Sequence, residues 1–228
     1  MEVKAYFSDI HTVIIKQLEG AGSDIHVAVA WFTDRDIFDV LCKKAQNGIK
    51  ISLVLVGDDI NCGAGRLNFI RLENLGGKVT FLPTGSQDTP LMHHKFCVID
   101  AKTVITGSYN WSKKARSNDE NITIIRDSPE FAYKYLAVFD ELCIRGGQKS
   151  TPLINAETVR RRLDMVCHLI LLGDYDDVTA QVFKLKPVAD EYKLSSMIEL
   201  LNGGQYQEAL EQIKAYLSKF TALISIEA

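Results

Sequence analysis

The chain has 228 residues, of which 46% are hydrophobic, and its formal net charge is −3. This length allows one large domain or a domain with a small appendage, and the small negative charge argues against binding to nucleic acid through overall charge. The five scattered cysteines form no Cys-x-x-Cys pair, which argues against a disulfide framework or zinc site and favours a reducing, cytoplasmic compartment. No apolar run approaches membrane-spanning length, and the first residues do not resemble a signal peptide.

Strand-like and helix-like segments alternate through the first 147 residues. We predict strands at residues 3–7, 25–32, 50–56, 79–82, 96–99, 104–105 and 122–125, and helices at residues 10–20, 34–46, 67–75 and 129–143, with residues 57–66 as a loop. Ser8 or Asp9 is the expected cap of the first helix. The near-continuous apolar run at 50–56 is typical of a buried parallel strand. The alternation predicts an α/β domain over residues 1–147, with a sheet flanked by helices on both faces.

The last third of the chain has a different character. Residues 145–152 are typical of a linker, and residues 153–228 are rich in helix formers. The segment 171–175 (Leu-Leu-Gly-Asp-Tyr) is echoed by 200–206 (Leu-Leu-Asn-Gly-Gly-Gln-Tyr), an offset of about thirty residues that resembles helix-pair repeats such as tetratricopeptides. We predict a small all-helical appendage over residues 153–228, packed on the first domain or on a second copy of itself. Its candidate roles are structural support, dimer support and binding of a protein partner.

The most distinctive pattern lies between residues 93 and 110. It has the form H-x-K-x4-D-x6-G-S-x-N, which is filled by His93, Lys95, Asp100, Gly107, Ser108 and Asn110. The pattern combines an imidazole that can attack, an ammonium that can hold an anion, and a hydroxyl–amide pair that can hold more of it. Because side chains alternate along a strand, His93 and Lys95 are predicted to share one face.

These residues resemble the signature of the phospholipase D superfamily, with every specified position filled. The resemblance is strongest to its single-motif members, the bacterial Nuc-type endonucleases and the mitochondrial cardiolipin hydrolase/Zucchini nucleases, which also carry a Glu-Asn pair like Glu120-Asn121. It covers roughly residues 1–145 and implies a phospholipase D-like mixed sheet. It further implies a metal-independent phosphodiesterase without a cofactor, in which a histidine forms a phosphohistidine intermediate and a second histidine protonates the leaving oxygen.

The resemblance also implies a role for each residue of the pattern. His93 is the expected nucleophile, and Lys95 and Asn110 are expected to hold the non-bridging oxygens, with Ser108 adding a hydroxyl. Glu120 is expected to fix the tautomer of a histidine, with Asp119 as the alternative. The structural positions of the motif are Asp100, a hydrogen-bonding partner at the strand end, and Gly107.

Only one copy of the motif is present, which predicts a homodimer. The other four histidines are at positions 11, 26, 94 and 168, and none begins a second H-x-K. A mechanism with two histidines therefore needs two chains, and a two-fold axis that brings both copies of His93 into one pocket would supply them.

Two features next to the motif have more than one interpretation. Lys113, Lys114 and Arg116 form a basic cluster that either contacts the substrate backbone or is ordinary solvated surface. Asp58-Asp59 either caps a helix or, less favoured, holds a metal. We favour a nuclease over a phospholipase D-type lipid hydrolase, which would need an apolar rim near the cleft, and over an inactive phosphodiester-binding adaptor.

Overall fold

The computed structural model describes residues 1–86, 89–147, 156–185, 189–190 and 192–224. The chain divides into two compact units, residues 1–148 and residues 149–228. Among the described residues, no helix combines the length and the apolar character needed to cross a membrane. All five cysteines are free thiols.

The described residues of the first unit form a seven-stranded sheet and five α-helices. Its strands are β1 (Glu2–Tyr6), β2 (Asp24–Val29), β3 (Lys50–Val56), β4 (Lys78–Leu82), β5 (Lys95–Ile99), β6 (Thr103–Gly107) and β7 (Ile122–Arg126). Its helices are α1 (Ile10–Glu19), α2 (Arg35–Gln46), α3 (Asp59–Cys62), α4 (Phe69–Asn74) and α5 (Pro129–Arg145). The predicted α/β fold is confirmed, with one local error: residues 57–66 are not all loop, because Asp58 caps the short helix α3 through hydrogen bonds from the N–H groups of Ile60 and Asn61.

The order of strands in the sheet is β1-β7-β6-β5-β2-β3-β4. Strands β2, β3 and β4 are parallel, whereas β5, β6, β7 and β1 add to β2 as antiparallel neighbours. The apolar strand β3 lies between two parallel neighbours, as predicted for a strand that is buried on both faces. Arg145 ends α5, and residues 148–152 of the predicted linker lie outside the described residues.

Alternating side chains divide the core into two layers, one on each face of the sheet. In β2, Val27 belongs to the layer beneath α1, α2 and α4, whereas its neighbour Ala28 belongs to the layer beneath α5. Strand β5 repeats the alternation, because Cys97 faces the first layer and Phe96 the second. Helices therefore cover both faces of the sheet, as expected.

The antiparallel pairing of the central strands brings several chain segments to one edge of the sheet. Val29 at the end of β2 pairs with Lys95 at the start of β5, and Gly107 at the end of β6 pairs with Ile122 at the start of β7. The segments that leave β2, β3 and β6 therefore lie at the same edge as those that enter β5 and β7. We call this the site edge.

The first helix begins at Ile10 with Asp9 as its N-cap, as predicted, but without a capping hydrogen bond from the side chain. Asp9 occupies the N-cap position, but its backbone is left-handed, with φ 52° and ψ 23°, and its side chain makes no capping hydrogen bond. An N-cap that uses its side chain normally has extended backbone. Helix α2 shows the usual arrangement, because Asp34 is extended and accepts from the N–H groups of Asp36 and Ile37.

The described part of the second unit is helical, with the helices α6 (Ala156–Leu172), α7 (Tyr175–Leu185), α8 (Ser195–Asn202) and α9 (Tyr206–Ile224). Each of α6 and α8 packs against both α7 and α9, so the two helix pairs close into a ring of four. The rings of Tyr175 and Tyr206, which open the second helix of each pair, stack on each other with centroids 4.1 Å apart. The predicted helix pairs are present, and they close on each other instead of stacking in the open row that is typical of tetratricopeptides.

The two turns of this unit confirm the internal repeat. The N–H of Asp174 donates to Leu169 O, and the N–H of Gln205 donates to Leu200 O, so the same hydrogen bond recurs thirty-one residues later. Each turn contains a glycine with positive φ, 74° at Gly173 and 73° at Gly204. This conformation ends both first helices in the same way.

Candidate active site

His93 and Lys95 lie together at the site edge, against the side chain of Trp31. The imidazole of His93 meets the indole edge to face, with ring centroids 5.4 Å apart, and the Nζ of Lys95 is 5.9 Å from the indole centroid. The Lys95 ammonium also donates a hydrogen bond of 2.6 Å to the carbonyl oxygen of His93. The two side chains share one face, as the alternation predicts.

The neighbouring histidine points elsewhere. The ring of His94 contacts Phe96, 5.5 Å away between centroids, and Phe96 belongs to the core layer beneath α5. The carbonyl oxygen of His94 accepts from the N–H of Ala30 at 3.0 Å, which fixes this segment beside the end of β2. The two adjacent histidines therefore lie on opposite faces, and only His93 is beside Lys95.

The electrostatic surroundings of His93 favour the neutral imidazole. Partial burial and the nearby Lys95 ammonium both hold the pKa of His93 below its usual range. A lowered histidine pKa means a larger neutral fraction at neutral pH, and the neutral ring has the lone pair that a nucleophile requires. Partial burial also lowers the pKa of Lys95, against the opposing effect of the Glu120 carboxylate.

Ser108 and Glu120 join the segment after β6 to the segment before β7. The Ser108 hydroxyl donates a hydrogen bond to Glu120 Oε2, and it accepts one of 3.1 Å from the N–H of Asn121. Gly107 permits this close approach, because a Cβ at that position would lie 2.2 Å from Asn121 O. The hydroxyl and the carboxylate therefore form one hydrogen-bonded unit between these two segments.

Glu120 has a different partner from the one expected. Within the residues that the structure describes, its carboxylate accepts from Ser108 and, at 3.3 Å, from Asn118 Nδ2, and no hydrogen bond joins it to a histidine of the same chain. The predicted role of orienting a histidine stays a prediction. Asp119, the alternative, is exposed.

Asn110 is half-buried just beyond Ser108, and its Oδ1 atom is buried without a hydrogen-bond partner among the described residues. An unpaired buried polar atom costs about 1–3 kcal/mol, so such atoms are rare in folded proteins and often occur where a ligand completes the bonding. Because Oδ1 can only accept a hydrogen bond, it would pair with a donor such as water, and a phosphate oxygen could be held only by the Nδ2 donor of this amide.

The Arg116 guanidinium is already paired within the chain, and its predicted contact with a substrate stays a prediction. Its guanidinium forms a fork on Asp34, with Nε 2.7 Å from Oδ2 and Nη2 2.6 Å from Oδ1, and Nη2 also lies 2.7 Å from Asp36 Oδ2. Asp34 is only 1% exposed, so this ion pair is held in place. His11 Nε2 lies 3.3 Å from Asp34 Oδ1. Arg116 thus neutralises the carboxylates of Asp34 and Asp36, and it ties the loop after Asn110 to the start of α2.

Lys113 and Lys114 differ from Arg116. Both are exposed and lie in the loop that leaves Asn110, at the start of a short 3-10 helix (Lys114–Ser117). No ion pair of either ammonium is found among the described residues. Their charges are therefore available to solvent or to an anionic ligand.

Asp100 lies at the far end of β5, away from the site edge. Its carboxylate accepts hydrogen bonds from the N–H groups of Gly22, Ser23 and Asp24 and from the Ser23 hydroxyl, at 2.7–3.2 Å. Burial acts to raise its pKa, but these hydrogen bonds outweigh burial and hold the pKa below the usual range. Asp100 thus joins β5 to the segment that enters β2.

Sequence reasoning missed Trp31 and the function of Asp58 beyond capping. Trp31 contacts both His93 and Lys95, and its indole N–H donates to Asp58 Oδ2 at 2.8 Å. The available signal was position: both residues follow parallel strands, and groups at the carboxyl ends of parallel strands meet at one edge of a sheet.

Comparison with known proteins gives the family. A family model described as "Cardiolipin synthase, PLD-like domain" matches residues 14–143, more than half of the 228-residue chain. The mitochondrial cardiolipin hydrolase of Chlamydomonas reinhardtii is 25% identical over 140 residues, which cover 60% of this chain and 60% of that protein. The protein of the same name from Mus musculus is 25% identical over 130 residues, covering 57% and 56%. The match thus spans about three fifths of the length of these relatives.

Two solved structures share the fold of the first unit. Nuc from Salmonella typhimurium, described as a phospholipase D family member, has a TM-score of 0.55 and 23% identity, and the match covers 63% of this chain and 95% of Nuc. NucT from Helicobacter pylori has a TM-score of 0.54 and 23% identity, with 62% and 94% covered. With the family match over residues 14–143, these likenesses confirm the expected resemblance: the chain belongs to the phospholipase D superfamily.

Proposed function

We propose that the chain is a metal-independent nuclease that cleaves phosphodiester bonds of nucleic acid through a phosphohistidine intermediate. The observation that carries this proposal is the pair of side chains at the site edge: the His93 imidazole and the Lys95 ammonium lie together against the Trp31 indole, and the ammonium donates to the carbonyl oxygen of His93 at 2.6 Å. A neutral imidazole next to a fixed cation suits attack on an anionic phosphorus centre.

In the first step, a ring nitrogen of His93 forms a bond to phosphorus while the bond to the leaving oxygen breaks. The leaving oxygen takes a proton from the partner subunit's His93, which must begin this step protonated while the attacking His93 begins neutral. In the second step water attacks the phosphorus, the phosphorus–nitrogen bond breaks, and the partner subunit's His93 accepts the water proton, which leaves a phosphomonoester. Lys95 and Asn110 hold the non-bridging oxygens, where negative charge is greatest.

Nucleic acid is the favoured substrate because of Lys113 and Lys114. These exposed lysines lie in the loop that leaves Asn110, so a chain of phosphates bound at the site edge has further cations to contact. Contacts of this kind contribute affinity without sequence specificity and weaken as salt rises.

A lipid phosphodiester is the second candidate, and exposed apolar side chains favour it. Phe7 follows β1 at the site edge and is 77% exposed, and Leu91, two residues before His93, is 42% exposed. An apolar rim of this kind is what a lipid hydrolase needs to contact acyl chains. The two candidates therefore differ in which rim, basic or apolar, meets the substrate.

One assay separates the candidates. The purified full-length chain in EDTA is offered single-stranded DNA, duplex DNA, RNA and vesicles that contain cardiolipin, with a His93→Asn chain as the control. We expect cleavage of nucleic acid by the wild type only. Cleavage of lipid alone would replace the first candidate by the second, and no cleavage of any substrate would favour a phosphodiester-binding adaptor.

The proposal includes a homodimer with one shared site, because each chain contributes a single histidine in an H-x-K motif. Sedimentation should give about twice the 25.5 kDa chain mass. An excess of His93→Asn chains should inhibit the wild type beyond simple dilution once subunits exchange, since each mixed dimer has one histidine in its pocket. A fully active monomer would contradict the shared site.

We also propose a reducing, cytoplasmic compartment, which the five free thiols support. Binding of a protein partner by the second unit stays a prediction. This prediction should be tested by pull-down with the full chain, with and without substitutions in the second unit.

A further inference from the structure

Trp31 follows β2 at the site edge and contacts both side chains that begin the motif. Its indole meets the His93 imidazole at an interplanar angle of 77°, and the Lys95 ammonium lies 5.9 Å from the indole centroid. Edge-to-face aromatic contacts and cation–π contacts are both directional. The plane of the indole therefore restricts the directions in which the imidazole and the ammonium can point.

Asp58 holds that plane in place. Its Oδ2 accepts a hydrogen bond of 2.8 Å from the indole N–H of Trp31, while its Oδ1 accepts from the N–H groups of Ile60 and Asn61 at 3.0 and 3.1 Å. Hydrogen bonds to a carboxylate are shorter and stronger than those between neutral groups. One carboxylate thus caps α3 with one oxygen and fixes the indole with the other.

Asn61 anchors this helix to the sheet. Its side chain is fully buried, its Nδ2 donates to Ala30 O and Val56 O, both at 2.7 Å, and its Oδ1 accepts from the N–H of Phe32 at 2.7 Å. A buried amide with all these bonds made is rigid, because breaking any of them leaves a buried group unpaired. A continuous series of contacts therefore runs from the ends of β2 and β3 to the indole.

We infer that Asp58 and Trp31 are a positioning pair, which aims the His93 imidazole and holds the Lys95 ammonium beside it. The inference rests on the proposed function, in which His93 attacks phosphorus. Neither member of the pair is a catalytic residue. Attack needs the reacting atoms about 3–3.5 Å apart and aligned, so a small displacement of the imidazole lowers the rate strongly.

Three variants isolate the pair. Asp58→Asn keeps a good helix cap but replaces a carboxylate oxygen that faces the indole N–H. Trp31→Phe keeps an aromatic ring and removes the N–H. Asp59→Asn is the matched control, because Asp59 is the next residue, is exposed, carries the same charge and makes no hydrogen bond with the indole.

The activity of the full chain is measured in EDTA with bis(p-nitrophenyl) phosphate. We expect kcat to fall on the order of tenfold in Asp58→Asn and in Trp31→Phe, with little change in KM and none in Asp59→Asn. Since Asp58 acts through Trp31, the double variant should be no slower than either single variant. Thermal unfolding measured in parallel shows whether a loss comes from a smaller folded fraction instead.

A readout that needs no turnover separates this inference from the proposed function. The aromatic NMR signals of His93 are displaced by the ring current of the indole, and they should move in Asp58→Asn and Trp31→Phe and stay in place in Asp59→Asn. The positioning pair is overturned if the His93 signals do not move in Asp58→Asn. It is also overturned if the kcat losses of the two single variants multiply in the double variant. A wild type that cleaves no phosphodiester while the signals respond as expected overturns the proposed function alone.

Discussion

One sequence motif places polar residues at both ends of β5, and the two ends differ in how many hydrogen bonds these polar groups make. At the far end, the Asp100 carboxylate is surrounded by donors from Gly22, Ser23 and Asp24. At the site edge, His93 is exposed, and the buried Oδ1 of Asn110 has no partner among the described residues. Saturated bonding is typical of a structural role, whereas incomplete bonding leaves groups available to a ligand.

The difference also appears in the charges. Hydrogen bonds to Asp100 outweigh its burial and lower its pKa, which favours the carboxylate, whereas partial burial and the Lys95 ammonium lower the pKa of His93, which favours the neutral imidazole. One motif thus supplies a charge that joins strands at one end of β5 and the expected nucleophile at the other. Alterations at the two ends should therefore affect different properties of the molecule.

The largest effect is expected for His93→Asn, at the open end. Turnover should fall by several orders of magnitude, because the group that forms the covalent intermediate is lost, while the free energy of unfolding should change little because the side chain is exposed. His94→Asn is the matched control and should retain activity. An active His93→Asn together with an inactive His94→Asn would assign the nucleophile to the other histidine.

Gly107→Ala should lower both stability and activity, because Gly107 ends β6 at the site edge and Ser108 follows it. The added Cβ would lie 2.2 Å from Asn121 O and 2.8 Å from Ile122 Cα, so the backbone of β6 or β7 must shift. We expect a loss of about 2–3 kcal/mol in the free energy of unfolding, measured in urea, and a lower kcat because Ser108 moves away from Glu120. Gly65→Ala is not an equivalent control, since that glycine has positive φ; Gly22→Ala, whose Cβ has ordinary contact distances, is suitable.

Asp100→Asn should lower stability and leave the kcat of the folded protein nearly unchanged. Because the pKa of Asp100 is lower in the folded state than in the unfolded chain, its ionised form stabilises the fold above the unfolded pKa of about 3.9. This stabilisation is lost as pH falls through the lower, folded pKa. The wild type should therefore exceed the variant by about 1–2 kcal/mol in urea unfolding at pH 7, and by less below pH of about 4. A difference that is independent of pH would exclude the charge as its source.

The smallest effect is expected for the double variant Lys113→Ala, Lys114→Ala. Substrate affinity should fall severalfold, and the dependence of affinity on salt should weaken, because two charges that displace counterions from phosphate are removed. Binding of a fluorescent oligonucleotide to His93→Asn chains at increasing salt measures both quantities. An unchanged salt slope would show that the two lysines are ordinary surface residues.

Much of the fold could be predicted because local patterns and tertiary contacts agree. The apolar run of β3 fits a strand between parallel neighbours, and α2 begins directly after its cap Asp34 and ends before Asn47-Gly48, as these capping residues indicate. The helix pairs of the second unit followed from the repeat. Their closure into a ring did not, because it depends on contacts between helices that a repeat pattern does not specify.

Less of the site could be predicted, because its remaining details depend on contacts between distant segments. Arg116 stands close to Asn110 in sequence and carries a positive charge, which suggests a substrate contact, but its partner Asp34 is 82 residues away. Trp31 stands at the end of an ordinary apolar strand, and only the pairing of β2 with β5 brings it to His93. Spacing within the motif identified the chemistry, but not the groups that hold it in place.

The central claim is covalent catalysis by His93, and it is tested most directly by trapping the phosphohistidine intermediate. Full-length chain is mixed with a labelled phosphodiester in EDTA, quenched at high pH, where phosphohistidine is stable, and digested for mass spectrometry. The account predicts one phosphorylated peptide, with the label on His93, and none from His93→Asn chains. A label on another residue, or rapid turnover without any labelled histidine at early times, would contradict it.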